Sequence, residues 1–301
     1  MGEAVVAPAL ASLRGYWDRA TPPQVLTYLV GAALIAVGLA HLAVWAATGG
    51  PWLGPLGWRK PTTFGVSFGL TTVTLGWMTS YLPLARRTAW WLLGALAAAN
   101  TSEVAWVSLQ RARGVPSHFN TDTALDTALC VGTGVAILVT IAVIVTLTWR
   151  AFRHVDAPPS MRVALRAGLV VLLVSMAVGG TMIGYGLQGE DAGRTALTTF
   201  GTAGIMKVPH AVGMHAIQVL PGLAWLLTFG SADEARRVRL VVLATAGYAL
   251  LVTVSLLQTF TGVAPWDLGI ATGGLLLAAL ATFAMAGTGA LSALRAPRPL
   301  H

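Results

Sequence analysis

Long apolar windows alternate along this chain with short polar breaks, near residues 26–48, 62–83, 88–110, 123–149, 161–188, 206–229, 238–260 and 268–292. Each window is close to the about twenty residues a helix needs to cross a bilayer. The windows are too long for strands and lack alternation of apolar and polar positions. The pattern predicts an all-α polytopic membrane protein of about eight transmembrane helices. It places residues 26–293 in one integral domain, between an N-terminal segment (1–25) and a tail (294–301).

Composition agrees. With 55% hydrophobic and 10% charged residues and a mean hydropathy of +0.72, the chain falls far outside the range of soluble domains. The net charge of +8 does not mark a nucleic-acid partner, because the basic residues are scattered between apolar spans. Counted over alternate sides, thirteen Lys and Arg residues face six, which puts both termini in the cytoplasm of a bacterial-type plasma membrane by the positive-inside rule. The first span reads as an uncleaved anchor, since Arg14, Asp18 and Arg19 precede it and no small-residue cleavage site follows a short apolar core. The lone Cys130 excludes an intramolecular disulfide and CxxC chemistry.

The two halves share short matches. Lys60, Pro61 and Gly65 pair with Lys207, Pro209 and Gly213, and Gln110, Gly114 and Val115 pair with Gln258, Gly262 and Val263, all at offsets of 147 or 148. A parallel four-plus-four duplication fits, because an even number of spans preserves orientation. Matches this short also arise by chance in Gly- and Val-rich sequence.

Ionisable side chains inside spans cost free energy and mark functional positions. At about 1.5 Å of rise per residue, His41, Glu103, Asp126, His210 and His215 fall roughly 5 to 13 Å below the outer ends of four helices. Glu103, Trp106 and Gln110 share one helix face, and Asp122, Asp126 and Cys130 another. The connection between them carries Arg111, Arg113, His118 and Asn120, and reads as a basic lid. The segment "KVPHAVGMHAIQ" sets Lys207, His210, His215 and Gln218 in an apolar stretch. Its two histidines are five residues apart, about 140° around a helix, so they do not form the i, i+4 pair of HExxH sites.

Each of these positions also has a structural explanation. Asp122 or Thr121 can cap the fourth span and Asp126 can favour its positive end. Glu103 can pair with Arg111, Arg113 or Lys60, and His41 can bond a backbone carbonyl. His154 and His301 carry no signal, and Trp45, Trp52 and Trp58 suit an interfacial belt.

The leading expectation is a metal- or haem-dependent membrane enzyme, redox or hydrolytic, acting on a lipid-soluble or anionic membrane-surface substrate. His41, His118, His210 and His215 are its candidate ligands for zinc, iron, copper or haem. Glu103 and Asp126 are the candidate catalytic bases. Lys60, Gln110, Arg111, Arg113, Asn120, Lys207 and Gln218 would bind substrate. Two alternatives stand beside it: a proton-coupled transporter or channel, and a non-catalytic ligand-binding sensor or assembly subunit. The expected partners are the lipid bilayer and a small-molecule ligand, and the apolar surface is also compatible with a homo-oligomer or a membrane-protein partner.

Overall fold

The computed structural model describes residues 2–191 and 198–295; Arg194 and Arg298, two of the basic residues counted over the loops, and His301 lie outside them. The described helices are α1 (Gly2–Asp18), α2 (Pro22–Thr48), α3 (Arg59–Met78), α4 (Arg86–Arg113), α5 (Ala124–Arg153), α6 (Pro159–Asp191), α7 (Lys207–Met214), α8 (Ala216–Leu227), α9 (Glu234–Phe260) and α10 (Ile270–Arg295). Among the described residues, seven spans are long and apolar enough to cross a membrane: α2, α4, α5, α6, α7 together with α8, α9, and α10. The protein is therefore an all-α, multi-pass membrane protein.

Four features differ from the apolar pattern. The window at 62–83, counted above as a span, holds α3, whose threonines, serine and glycines leave it outside the seven. Helix α1 precedes the first span, where hydropathy marks nothing; its alanines favour a helix without making it apolar enough to cross a bilayer. A short antiparallel hairpin, β1 (Thr199–Phe200) with β2 (Gly204–Ile205), interrupts an otherwise helical chain. The window at 206–229 is two helices, broken at His215, whose backbone (φ −81°, ψ −5°) ends the α-helical run. Just before the break Gly213 is pressed against Ser175, and nearly two turns after it Pro221 removes an N–H from the ladder.

The chain divides into two compact units, residues 16–149 and residues 150–301 with the first fifteen. In the 16–149 unit, α2 and α3 run antiparallel at very short range. A Cβ built on Gly65 would lie 2.6 Å from the Gly38 backbone, and one on Gly69 2.5 Å from the Gly31 carbonyl. Thr27 closes the far end of this contact against Gly76. Only residues without side chains allow two helix backbones to approach this closely. Helix α3, with five threonines, a serine and three glycines, owes its place to this contact and not to its own hydropathy.

Helix α4 packs on both α2 and α3. Its fully buried Asn100 donates to Thr72 Oγ1 (2.8 Å) and accepts from Thr140 Oγ1 (3.0 Å), joining α3, α4 and α5. On the side of Asn100 away from the α4–α5 loop, Leu75, Leu93 and Leu96 are fully buried.

In the other unit α6 contacts α7, α8 and α9, and α9 carries α10. Ser175 sits where Gly213 and His210 approach α6: its hydroxyl donates to the His210 carbonyl at 2.7 Å. Helices α4 and α9 end alike. Gly114 (φ 70°) and Gly262 (φ 73°) take left-handed backbone, and the following Val115 and Val263 donate to the carbonyls of Gln110 and Gln258.

Candidate functional site

The loop end of the 16–149 unit is built from the start of α3, the last turns of α4, the start of α5 and residues 114–123 between them. Two polar groups share this end and are treated very differently by their surroundings.

The first is a satisfied ion pair. Asp126, 2% exposed, accepts from Arg113 Nη1 (2.5 Å) and Gln110 Nε2 (2.8 Å) on Oδ1 and from Thr123 Oγ1 (2.5 Å) on Oδ2. Thr123 also accepts from the Asp126 backbone N–H at 3.2 Å, so the pair caps α5 while tying it to α4. Charge-assisted bonds from three donors hold this carboxylate in one place. Arg113 and Gln110 are thus occupied inside the unit, and Asp126 has the geometry of a clasp.

The second group is unsatisfied. Glu103 is 1% exposed, and neither of its carboxylate oxygens takes a hydrogen bond. Oε1 lies 3.3 Å from Nε2 of His118, close enough for an ion pair but without the alignment of a hydrogen bond. Buried polar atoms are hydrogen-bonded as a rule, and an exception calls for an explanation.

His118 reaches Glu103 from the loop, and its neighbour Phe119 adopts φ 58°, a left-handed backbone costly for an aromatic residue. Its ring meets the Phe64 edge at 5.5 Å and its Nδ1 lies 3.3 Å from the Ser117 hydroxyl. Burial pushes the His118 imidazole below the ordinary histidine range; Glu103 opposes that effect and Lys60 adds to it. The ring is consequently neutral near pH 7. Asn120, also buried, accepts from the Asp122 N–H on Oδ1 and leaves Nδ2 without a partner. Arg111 stacks its guanidinium 3.9 Å from the centre of the Trp58 ring.

The remaining candidates lie elsewhere. His41 is half-buried in α2, where Nδ1 donates to the Val37 carbonyl at 2.8 Å. His210, in the 150–301 unit, donates from Nδ1 to the Ser175 carbonyl at 2.8 Å. His215 is exposed at the α7–α8 break, and Lys207 is exposed at the start of α7. Oriented so that its amide nitrogen faces acceptors, Gln218 donates to the carbonyls of Met214 and His215. Glu103, Gln110, Arg113, His118 and Asp126 therefore come together within one unit, while His210, His215, Lys207 and Gln218 belong to the other. Among the described residues, no three His, Cys, Asp or Glu side chains are grouped to hold a metal ion.

Sequence reasoning missed Asn100 and its two threonines. The signal was present: Asn100 stands three residues before Glu103, on the same face of α4. Trp58 was read as part of a belt, and its stacking on Arg111 depends on a meeting of α3 and α4 that hydropathy does not encode.

Comparison of the chain with protein-family models, curated proteins and solved structures finds no match.

Proposed function

We propose that the 16–149 unit holds an acid–base pocket of a membrane enzyme, with Glu103 as the proton-accepting group and His118 as its partner. The observation that carries this reading is the contrast between the two carboxylates. Asp126 is held by three donors, whereas Glu103, equally buried, takes none and faces an imidazole that burial keeps neutral. A carboxyl without protein donors is available to accept a proton from a bound molecule, and a neutral ring beside it can pass that proton on.

The alternative of a transport pathway is disfavoured by Leu75, Leu93 and Leu96, fully buried on the side of Asn100 away from the loop, which offer no polar continuation beyond it. In the metal-dependent version of the reading, Glu103 and His118 would supply two ligands, with bound water or substrate completing the shell. The excess of basic residues on the opposite loops puts the pocket on the extracytoplasmic side, with both termini in the cytoplasm.

A duplicated origin of the two units belongs to the same proposal. Gly38 meets Thr62 and Gly65 as Ser175 meets His210 and Gly213: the first-helix positions are offset by 137 and the second-helix positions by 148. In the 150–301 unit, Leu251 stands 148 positions after Glu103, and Gln258 is spent on the carbonyls of Ala264, Pro265 and Asp267. On this reading only one of the two copies kept the charged pocket.

The test is chemical. Purified protein treated with dicyclohexylcarbodiimide, a hydrophobic carboxyl reagent, should carry the adduct on Glu103 and not on Asp126 when its peptides are weighed. Labelling of Asp126 with none on Glu103 would reverse the assignment.

A further inference from the structure

Ten buried side-chain nitrogen and oxygen atoms lack a hydrogen-bond partner among the described residues, and six of them belong to the loop end of the 16–149 unit. They are both oxygens of Glu103, Trp58 Nε1, Thr62 Oγ1, Arg111 Nε and Asn120 Nδ2. Native interiors leave few such groups, and each one costs free energy while it stays dry and unpaired. Six at one end of one helical unit define the chemistry of a group that would satisfy them.

Five of the six sort by chemistry; the sixth, the Thr62 hydroxyl, can donate or accept. The acceptors, on Glu103, are deep; Arg111 follows eight residues later, roughly 12 Å nearer the end of the helix at about 1.5 Å per residue. Arg111 Nε, Trp58 Nε1 and Asn120 Nδ2 are donors, and the first two are brought together by the stacking of Arg111 on Trp58. Arg113, the neighbouring cation, is already neutralised by Asp126. The pocket is therefore bipolar, anionic at depth and donor-rich with a guanidinium at the rim.

We propose that this pocket binds a small zwitterionic group, a primary ammonium joined to a phosphate, with the ammonium on Glu103 and the phosphate against Arg111, Asn120 and Trp58. The inference rests on the pocket assigned above and adds the class of molecule that enters it. An ammonium supplies three donors, enough to reach both oxygens of Glu103 beside His118. A phosphate accepts from guanidinium, indole and amide nitrogens together. The same group occurs free, as phosphoethanolamine, and as the headgroup of a phospholipid whose chains would remain in the bilayer.

The experiment measures melting of the full-length protein with O-phosphoethanolamine, ethanolamine or inorganic phosphate in detergent, then in nanodiscs of phosphatidylglycerol with and without phosphatidylethanolamine. O-phosphoethanolamine should raise Tm by about 3 °C or more beyond either fragment. Stabilisation confined to the nanodiscs containing phosphatidylethanolamine would assign the lipid as the source. Glu103→Gln should weaken binding of the zwitterion about tenfold and leave phosphate binding unchanged, while Arg111→Gln should weaken both. Two outcomes overturn the proposal: inorganic phosphate matching the zwitterion in wild-type protein, or no shift with the zwitterion in either its free or its lipid form. Carbodiimide labelling of Glu103 together with such a result would leave the acid–base pocket standing and remove only its assigned ligand.

Discussion

Arg113 places Nη1 2.5 Å from Oδ1 of Asp126, thirteen residues further along the chain, and so closes the connection between α4 and α5. Because Arg113 is 29% exposed and Asp126 2%, removing the carboxylate leaves a cation that water can partly reach. Asp126→Ala should cost about 2 to 3 kcal/mol, less than the loss of a fully buried pair. Arg113→Met in the Asp126→Ala background should recover part of that loss. Reversible unfolding in mixed micelles measures both variants, and a neutral Asp126→Ala would show that the clasp carries no stability.

Acidification should weaken the fold through His118. Its pKa is lowered in the folded state, so between that value and about 6.5, the ordinary histidine value, the unfolded chain binds a proton that the folded chain refuses. Stability from this group is complete above about 6.5, falls as the pH drops through the window, and levels off below the folded pKa. Melting temperatures recorded from pH 8 to pH 5 for wild type and His118→Gln should diverge at the basic end and converge at the acidic end. Parallel curves would mean that the ring is equally protonated in both states.

The glycine contact between α2 and α3 predicts a sharp difference between two similar substitutions. A side chain at Gly65 would meet the Gly38 backbone at 2.6 Å, and neither backbone can yield without separating the helices. Gly65→Val should cost about 1 to 3 kcal/mol. Gly94, in the middle of α4, has nothing within 4 Å of a built Cβ, so Gly94→Ala should be neutral or stabilise by up to about 1 kcal/mol. Equal effects at the two positions would show that close approach, and not glycine itself, is the wrong explanation.

Orientation is open to direct labelling. In a Cys130→Ala background, single cysteines at the exposed positions Asp122 and Asp267 should react with an impermeant thiol reagent on intact cells, and one at exposed Ala235 should react only after lysis. The opposite pattern would turn the molecule over.

Hydropathy was enough to find seven of the eight expected spans, because burial in lipid demands long apolar runs whatever the helices contact; the eighth, α3, falls short of that demand. It found the loop-end residues as well: Glu103, Gln110, Arg113, His118 and Asp126 are exceptions to that demand. It could not divide their roles. Asp126 and Glu103 look alike in sequence, and only three-dimensional donors make one a clasp and leave the other empty. The surroundings of His210 and His215 were hidden for a related reason. A histidine in an apolar helix attracts attention, yet His210 is tied through Nδ1 to the Ser175 carbonyl, a contact made 35 positions away. The break at His215 was equally hidden, since hydropathy runs through it without a change.

Helix α3 is too polar to be selected for insertion on its own composition, yet it runs antiparallel along a spanning helix over its whole length. Its integration must therefore follow that of α2, with the two entering the bilayer as one hairpin whose facing glycines lock before the threonines meet lipid. During synthesis, the moment of greatest risk falls between the emergence of α3 and the arrival of α4, which brings Asn100 to Thr72. Until then the threonines of α3 depend on α2 alone, which makes α4 the helix that completes the burial of this unit.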